Sequence, residues 1–474
     1  MSTLSASELA GLVGGELLGA PETLVTGAAV DSRLIEPGMA FVAIVGERVD
    51  GHEFAIDAMG AGAALVIADR KIDSLDRDVP CIVVSDPLAA LGEWARWWRE
   101  QLRMSGPFTV VAITGSSGKT STKDLLTSVL SSAGLTISAR GSYNTEVGVP
   151  LTILAAPLGT RYLVLEMGMR GAGHIRHLCS LSTPDIVIIT NVGSAHLAML
   201  GTRTAIAQAK AEILELLEES GTAVVPSAEP LIQAELHRTR AKVLTFGEGA
   251  ESDVRAEDVS VDATARARFV LVSGNERAPV SLTIHGEHFV ANALAVAAAA
   301  MSAGVSLDHV AAELSTARIE SRWRMEVTTT PQGLTVINDT YNANPESMRA
   351  ALKSLASMRG EGQTWAILGE MLELGPDSLE EHDAIGRLVV RLDISQLICI
   401  GAGTRVMHLA ASNEGSWGEE SRWVPDAETA LRIVQSEAQR GDVILVKASR
   451  GIGLESVAET LINDPLGSVG GPTT

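Results

Sequence analysis

Residues 114–122 of the chain read TGSSGKTST, and this stretch decides what kind of fold surrounds it. It follows a run of apolar and β-branched residues at 109–113 and precedes a helical pattern. A strand, a glycine turn and a helix in that order form a cradle for phosphate, because backbone N–H groups and the helix dipole face the anion. Gly115 and Gly118 let the backbone come close to phosphate. Lys119 is placed to reach the β- and γ-phosphates, and the Thr120 hydroxyl is placed to bind Mg²⁺.

One position departs from the usual phosphate-loop pattern, which has glycine where this chain has Ile113. A glycine turn can also be purely structural, but a strand, Gly-Lys-Thr and a helix in series favour nucleotide binding. The sequence therefore predicts a site for ATP or GTP. The predicted loop residues are Thr114, Gly115, Ser116, Ser117, Gly118, Lys119, Thr120 and Ser121.

The composition indicates a globular protein with more than one domain. A chain of 474 residues is too long for one ordinary hydrophobic core, so several domains are expected. The formal net charge of -21 argues against general binding to nucleic acid or to an anionic membrane surface. No apolar stretch approaches the roughly 20 residues that a membrane-spanning helix needs, so no membrane insertion is expected.

The cysteines and the N-terminus indicate the cytoplasm. Cys81, Cys179 and Cys399 lie far apart in apolar surroundings, without metal-ligand spacing, and predict buried free thiols in a reducing compartment. The first residues, MSTLSASELAGLVGG, lack a basic region and a long apolar core, so no signal peptide is expected. We predict a cytoplasmic protein that binds no nucleic acid and works as a monomer.

Three segments that differ in their sequence patterns predict an α/β fold with three domains. The first segment mixes short strands with helices. The second alternates strands and helices as in a parallel sheet, with an antiparallel addition at 252–285. The third restarts the alternation and predicts a Rossmann-like domain, followed by a tail whose composition predicts disorder. The predicted segments are residues 1–105, 106–325 and 326–464, and the tail is 465–474.

Polar residues that follow two strands of the second segment are candidates for binding a metal ion. Glu166 ends an apolar strand, and the C-terminal ends of parallel strands border the crevice in which the phosphate loop also lies. A carboxylate there is well placed to hold Mg²⁺, although a solvated glutamate at a strand end would look the same in sequence. His196 also follows a strand, but a lone histidine is more often structural. Lys210 lies on a predicted helix, where a lone lysine is usually solvated.

Further motifs occur in series along nearly the whole chain. In order they are DSR (31–33), DGHEF (50–54), TGSSGKTSTK (114–123), YNTEVGVPLT (143–152), LEMGMRGAGHI (165–175), ITNVGSAHL (189–197), KAEI (210–213), GEHFVANALA (286–295), NDTYNANP (338–345), LGEMLELG (368–375) and VKASRGIGLE (446–455). This series resembles the Mur ligase family, the ATP-dependent amide ligases of peptidoglycan precursor synthesis. The family's usual phosphate loop also lacks a glycine at the position of Ile113, which accounts for that departure.

The resemblance implies a fold and a reaction. The implied domains are an N-terminal mixed α/β domain that binds a UDP-sugar, a central P-loop ATPase-type parallel sheet, and a C-terminal Rossmann-like ligase domain. The implied reaction uses ATP and Mg²⁺ to join D-alanyl-D-alanine to UDP-N-acetylmuramoyl-tripeptide through an acyl phosphate. Which amino acid occupies the third position of the tripeptide is left open.

The resemblance also implies roles for residues at matching positions. Lys119 would contact the ATP phosphates, while Thr120 and Glu166 would hold one Mg²⁺ ion. His196 and a carbamylated Lys210 would hold a second ion, since CO₂ converts an ammonium group into an anionic oxygen ligand. The implied catalytic residues are Lys119, Lys210, His196, Asp339 and Arg324.

Other implied roles concern the two ends of the bound ligands. The remaining nucleotide contacts would be His288 and Asn292 near adenine and Arg324, Asp339 and Asn344 near ribose and phosphate. Phe289 replaces an asparagine that often follows the histidine in the family. The residues implied to contact the UDP-sugar peptide are Asp31, Ser32, Arg33, Asp50, Gly51, His52, Asn144, Thr145 and Glu146.

Three alternative functions stay open. Other Mur-type ligases that add diaminopimelate or lysine usually carry Asp-Asn-Pro-Arg in the last domain, whereas here the Asn-Pro pair at 344–345 is followed by Glu346. Folylpolyglutamate synthase-like enzymes lack this kind of N-terminal domain. A nucleotide-dependent switch protein would explain the phosphate loop, but not Glu166, His196 and Lys210 together with the motifs of the third segment.

Overall fold

A computed structural model describes residues 3–46, 49–73, 75, 79–195, 197–415 and 420–464. The predicted disordered tail at 465–474 lies outside the described residues, and so does the candidate ligand His196. The described chain forms an α/β protein with three main sheets of five, nine and six strands, each built from a consecutive stretch of sequence. This agrees with the predicted fold class.

The first stretch forms a small mixed sheet. Four neighbouring strands are parallel, and β2 joins antiparallel to β7 at one edge, which gives the order β2-β7-β6-β5-β4. A separate antiparallel pair joins β1 to β3. The strands are β1 (Leu4–Ser5), β2 (Glu16–Leu18), β3 (Leu24–Val25), β4 (Gly27–Ala29), β5 (Met39–Val42), β6 (Leu65–Ala68) and β7 (Cys81–Val83), and the helices are α1 (Ala6–Val13), α2 (Ala55–Gly60) and α3 (Pro87–Met104).

Helix α3 connects this sheet to the next one. The helix begins where the Asp86 carboxylate accepts hydrogen bonds from two backbone N–H groups of its first turn, with Pro87 at the first helical position. The spacing of Trp94, Trp97 and Trp98 predicts a packing face, and Trp94 and Trp98 are indeed buried in a core shared with the central sheet. The Trp98 indole donates a hydrogen bond of 2.8 Å to the carbonyl of Ala156. One continuous hydrophobic core therefore joins the first two sheets.

The second stretch forms a nine-stranded sheet in the order β16-β15-β14-β13-β12-β11-β8-β10-β9. It is parallel from β9 to β14, and β14, β15 and β16 form the predicted antiparallel addition. The strands are β8 (Thr109–Thr114), β9 (Thr136–Ser138), β10 (Tyr162–Glu166), β11 (Ile186–Ile189), β12 (Thr222–Pro226), β13 (Lys242–Gly247), β14 (Val254–Val261), β15 (Arg266–Ser273) and β16 (Glu276–His285). The helices are α4 (Lys119–Ser131), α5 (Gly148–Ala155), α6 (His174–Ser182), α7 (Leu197–Leu200), α8 (Arg203–Ala211), α9 (Pro230–Gln233), α10 (Phe289–Ser302) and α11 (Leu307–Leu314).

The register of the central strands brings the candidate residues together. Strand β8 lies between β10 and β11, with Ile113 opposite Glu166 on one side and Thr114 opposite Ile189 on the other. The C-terminal ends of these three strands therefore meet at one edge of the sheet, where the phosphate loop leaves β8. Every residue of β10 is buried, which explains why the strand reads as a continuous apolar run before Glu166.

The third stretch forms a six-stranded sheet in the order β17-β18-β22-β19-β20-β21, parallel except for the antiparallel edge strand β17. The alternation of strands and helices predicted for the third segment is present. The strands are β17 (Glu326–Thr329), β18 (Thr335–Asn338), β19 (Thr364–Leu368), β20 (Gln396–Ile400), β21 (Ser421–Val424) and β22 (Val443–Lys447). The helices are α12 (Pro345–Ser357), α13 (Ser378–Arg391), α14 (Arg405–Glu414), α15 (Ala427–Glu437) and α16 (Glu455–Asn463).

A strained segment joins the second and third stretches. Trp323 and Met325 adopt φ angles of 62° and 50°, in the left-handed region that costs side-chain-bearing residues free energy. Contacts on both sides hold the segment, because the backbone N–H of Ser321 donates to Asp124 and the guanidinium of Arg450 lies 4.3 Å from the ring centroid of Trp323. This geometry directs the intervening Arg324 toward the phosphate loop.

Candidate active site

The phosphate loop has a backbone that only glycine can adopt at two positions. Gly115 has a φ of 151°, and a Cβ atom there would lie 1.8 Å from the hydroxyl oxygen of Thr190. Gly118 caps the N-terminus of α4 with a φ of 77°, and a Cβ atom there would lie 2.8 Å from Oδ1 of Asn292. The loop therefore presents bare backbone N–H groups at the helix N-terminus, as an anion site requires.

The loop at 190–193 supports the phosphate loop from the neighbouring strand. The Asn191 side chain accepts a hydrogen bond of 3.0 Å from the backbone N–H of Ser117, and the Thr190 hydroxyl donates to the carbonyl of Ser117 at 2.6 Å. The backbone N–H of Gly193 donates to the hydroxyl of Ser116 at 2.8 Å. Sequence reasoning did not single out Asn191, although it lies in a quoted motif. These hydrogen bonds hold the phosphate loop in place without a bound ligand.

Lys119 lies at the start of α4, above the loop. Its ammonium group donates a hydrogen bond of 2.7 Å to the carbonyl of Gly115. Loss of solvation lowers the pKa of Lys119, and the nearby carboxylate of Glu166 opposes that effect. A cation held over a glycine loop at a helix N-terminus suits an anionic phosphate group.

Glu166 sits at the centre of a compact cluster of polar side chains. Its side chain is buried, and it accepts hydrogen bonds from the Thr120 hydroxyl at 2.7 Å and from the Asn144 amide at 2.8 Å. The guanidinium of Arg324 donates to the same Thr120 hydroxyl at 2.8 Å and lies 4.0 Å from the ring centroid of Tyr341. A carboxylate and a hydroxyl beside a phosphate cradle are the hard oxygen donors that Mg²⁺ prefers, so the residues fit this ion.

Lys210 is fully buried on α8. Burial lowers the pKa of its amine well below the usual value, and the positive charge of Lys119 lowers it further. The predicted partner of Lys210, His196, lies outside the described residues. Within the described ranges, no cluster of three or more histidine, cysteine or acidic side chains is arranged as a metal site.

One cavity of about 1050 Å³ joins most of the candidate residues. Its walls come from the second and third stretches, with Leu88 reaching it from α3. The predicted residues that line it are Ser116, Ser117, Gly118, Lys119, Thr120, Ser121, Asn144, Thr145, Glu146, Glu166, His288, Asn292, Arg324, Asp339 and Asn344. The cavity's lining does not include Thr114, Gly115 or Lys210.

The predicted adenine side of the cavity holds a neutral histidine. Burial lowers the pKa of His288 to about 4, with a smaller opposing effect of Asp339. Its ring centroid lies 4.3 Å from that of Phe289, and its buried Nδ1 has no hydrogen-bond partner among the described residues. Such an orphaned polar atom next to the buried Asn292 fits a ligand that can donate or accept a hydrogen bond there.

Asp339 enters the cavity from the end of β18. Its carboxylate accepts hydrogen bonds from Lys447 at 2.6 Å and from the backbone N–H of Met325 at 3.1 Å. The buried Lys447 also donates to the carbonyl of Asn342 at 2.8 Å and so holds the following loop in place. Sequence reasoning placed Lys447 in a motif but gave it no role.

The candidate UDP-contacting residues of the first stretch do not line this cavity. Asp31 pairs with Arg33 at 2.6 Å. Asp50 accepts from the backbone and ring of His52, which holds the pKa of the Asp50 carboxyl well below its usual range. Ser32 and Gly51 lie in the same two short turns. Both turns belong to the first stretch, at residues 32–34 and 51–54.

The fold and this site together define a class of protein. A phosphate loop at the C-terminal edge of a parallel sheet binds a nucleotide, and a second α/β sheet completes the cavity with residues of its own. Three family models match the chain: "Mur ligase family, catalytic domain" at residues 24–99, "Mur ligase middle domain" at 113–300, and "Mur ligase, glutamate ligase domain" at 323–450.

Known proteins similar over the full length support the same family. The chain is 41% identical to the UDP-N-acetylmuramoyl-tripeptide–D-alanyl-D-alanine ligase of Mycobacterium tuberculosis, over 99% of this chain and 100% of the relative. It is 36% identical to the Bacillus subtilis ligase of the same name, over 94% and 95% of the two chains. A crystal structure of MurF from Acinetobacter baumannii superposes with a TM-score of 0.88 at 30% identity, over 98% and 99%. The chain belongs to the Mur ligase family.

Two further solved structures are similar to this chain. MurF ligase from Thermotoga maritima, solved in complex with ADP, superposes with a TM-score of 0.79 at 29% identity, over 93% of this chain and 97% of that chain. A folylpolyglutamate synthase from Mycobacterium tuberculosis superposes with a TM-score of 0.59 at 17% identity over 78% of this chain and 95% of that chain, which shows a shared fold alone.

Proposed function

We propose that this chain joins D-alanyl-D-alanine to UDP-N-acetylmuramoyl-tripeptide with the hydrolysis of ATP to ADP and phosphate, in the synthesis of peptidoglycan precursors. The observation that carries the proposal is the shared cavity, in which Asp339 and Asn344 of the third stretch face the phosphate loop and Glu166 of the second. The relatives that match over the full length bear the name of this activity. ATP binding is supported by the ADP complex of the Thermotoga maritima relative.

The nucleotide and its metal ion would lie between the two larger sheets. The backbone of the phosphate loop and Lys119 would bind the phosphates, with Asp339 near the ribose and His288 and Asn292 near the base. Thr120 and Glu166 would hold Mg²⁺, which supplies charge neutralisation on the transferring phosphoryl group when bound.

Lys210 is suited to carbamylation. Only a neutral amine attacks CO₂, forming an N–C bond and releasing one proton, and burial already favours the neutral amine of this lysine. The product is an anionic oxygen ligand, and we propose that it and His196 hold a second Mg²⁺. Burying a lysine costs free energy, and carbamylation would give the buried side chain of Lys210 a chemical role.

The acceptor peptide would enter beside Asn144, Thr145 and Glu146, which line the cavity next to Glu166. The turns at 31–33 and 50–52 would hold the UDP end on the first sheet. Those turns lie outside the cavity, as expected if a long UDP-sugar peptide spans from the first sheet to the phosphate loop.

The reaction would proceed in two steps. The terminal carboxylate of the tripeptide attacks the γ-phosphorus of ATP, which forms an acyl phosphate and releases ADP. The amine of D-alanyl-D-alanine then attacks the acyl carbon, phosphate leaves, and the amine loses its proton. Lys119 and Arg324 would offset the negative charge that builds up on the phosphoryl oxygens. Enclosure between the sheets would keep water from the acyl phosphate.

We further propose the domain boundaries 1–105, 106–325 and 326–464, a monomeric state, and the cytoplasm as the location. All three cysteines are free and buried, as expected in a reducing compartment. Among the residues that the structure describes, no helix is both long and apolar enough to cross a bilayer.

Phosphate release from ATP tests the proposal directly. Purified protein is assayed with UDP-N-acetylmuramoyl-tripeptide and D-alanyl-D-alanine, and each component is left out in turn. We expect release that needs all components, with the pentapeptide product detected by mass spectrometry. Release with a single amino acid in place of the dipeptide would instead identify another Mur-type ligase, and release with neither substrate would favour a nucleotide switch.

A further inference from the structure

Glu346 of the third stretch reaches across to the second. It is the second residue of α12, and its carboxylate accepts a hydrogen bond of 3.0 Å from the backbone N–H of Ser194. The Ser194 hydroxyl donates to the same carboxylate, 3.2 Å from either oxygen. A Cβ atom on Gly193 would lie 2.6 Å from the carboxylate carbon, so the carboxylate rests directly on bare backbone. Ser194 is buried beneath this contact.

The segment that Glu346 holds is the one that supports the phosphate loop. The backbone N–H of Gly193 donates to the hydroxyl of Ser116 at 2.8 Å. The Asn344 side chain, at the start of the same helix, points its amide at the carbonyl of Ser116 from 3.5 Å. The first turn of α12 therefore contacts the phosphate loop by two routes, one direct and one through the segment at 193–194.

The charge of Glu346 argues against contact with the phosphates themselves. A carboxylate beside a phosphate would repel it, and both oxygens of this carboxylate lie within hydrogen-bond distance of the Ser194 donors. Hydrogen bonds to an ionised acceptor are stronger than neutral ones, so this contact is suited to holding two parts of the protein together.

We propose that Glu346 is a positioning residue that ties docking of the third domain to alignment of the phosphate loop. It fixes the segment at 193–194 only when α12 is docked, and that segment fixes Ser116. The inference rests on the proposed ligase function, because the alignment serves phosphoryl transfer. The alternative explanation is purely structural: Glu346 only stabilises the N-terminus of its own helix, as an acidic residue in the first turn does.

A set of matched variants separates the two explanations. Glu346→Ala removes the contact, and Glu346→Gln keeps one oxygen that can accept from the Ser194 N–H. Ser194→Ala removes the hydroxyl alone. Glu380→Ala is the control, because Glu380 lies in the first turn of α13 and is exposed to solvent.

We expect Glu346→Ala to lower kcat on the order of 10- to 100-fold, which is the free energy of hydrogen bonds to a charged group expressed as a change in rate. Glu346→Gln should recover part of the loss, and Glu380→Ala should keep the wild-type kcat. The double variant of Glu346→Ala and Ser194→Ala should be no slower than Glu346→Ala alone, since both act through one contact. Small-angle X-ray scattering with a non-hydrolysable ATP analogue should give a larger radius of gyration for Glu346→Ala than for the wild type.

Two results would overturn the inference while leaving the ligase function intact. One is a wild-type enzyme that makes the pentapeptide while Glu346→Ala matches Glu380→Ala in kcat and scattering. The other is a double variant whose loss equals the product of the two single losses. If Glu346→Ala does not fold, the same comparison of single and double variants is made with Glu346→Gln and Ser194→Ala. A wild type that makes no pentapeptide would refute the proposed function instead, and the scattering comparison would still test the docking contact.

Discussion

Replacing Lys119 with alanine tests the proposed phosphoryl transfer most directly. The ammonium group lies at the start of α4, 2.7 Å from the carbonyl of Gly115, with the carboxylate of Glu166 nearby. Two unit charges about 4 Å apart interact by about 4 kcal/mol at an effective dielectric constant near 20. Since about 1.4 kcal/mol corresponds to a tenfold change in rate, Lys119→Ala should lower kcat by about 10³-fold.

The assay is phosphate release at saturating substrates, with product formation followed by mass spectrometry. Lys353→Ala is a suitable control, because Lys353 lies exposed on α12, and it should keep the wild-type rate. Thermal unfolding should confirm that Lys119→Ala is folded, with the loss of one hydrogen bond to Gly115 costing about 1–3 kcal/mol at most. A folded Lys119→Ala enzyme that retains more than about a tenth of the wild-type kcat would refute the role of this charge.

Three further changes test other parts of the site. Glu166→Gln keeps the size of the side chain and one oxygen that can accept from Thr120 or Asn144, but it loses the charge, so the Mg²⁺ concentration for half-maximal rate should rise at least about tenfold while the variant stays folded in thermal unfolding. Lys210→Met should abolish ligation and the carbamate signal seen by NMR with ¹³C-labelled CO₂. In CO₂-free buffer at neutral pH it should also raise the melting temperature, because the unfolded chain protonates this amine and the folded protein resists doing so. His288 has a folded pKa of about 4, so the unfolded state binds more protons than the folded state between about pH 4 and 6.5, and stability falls as the pH falls through that window. At pH 5 this effect should cost the wild type about 2 kcal/mol, and thermal unfolding at pH 5 and 7 should show that His288→Gln lacks it.

Much of the fold could be predicted because its signals are local. Parallel strands buried on both faces read as continuous apolar runs, which made β8 and β10 visible from sequence. The glycine turn between β8 and α4 is also a local signal, because φ angles of 151° and 77° require glycine at 115 and 118. Helix α14 carries no such local signal, because its N-cap residue Thr404 makes no side-chain cap hydrogen bond and its sequence is short and mixed.

The parts of the site that sequence did not reveal depend on contacts between distant residues. The ion pair of Lys447 with Asp339 joins positions 108 residues apart, and the contact of Glu346 with Ser194 joins positions 152 residues apart. Motifs located both strands and loops but could not show which side chains would meet across the two sheets. The phosphate-loop pattern and the strand end predicted the roles of Lys119 and Glu166. The family resemblance added those of Arg324 and Asp339, and the structure supplied the neighbours of all four.

The three buried thiols have a practical consequence for observing this enzyme at work. Cys179 and Cys399 are fully enclosed, burial raises the pKa of both thiols, and Cys81 is nearly as inaccessible. Because only an exposed thiolate reacts quickly with maleimide, the native cysteines should be labelled very little by a fluorescent maleimide. One cysteine introduced on an exposed face of the central sheet and another on the third would therefore carry a dye pair, and energy transfer between them would show whether the distance between the two sheets changes when substrates are added.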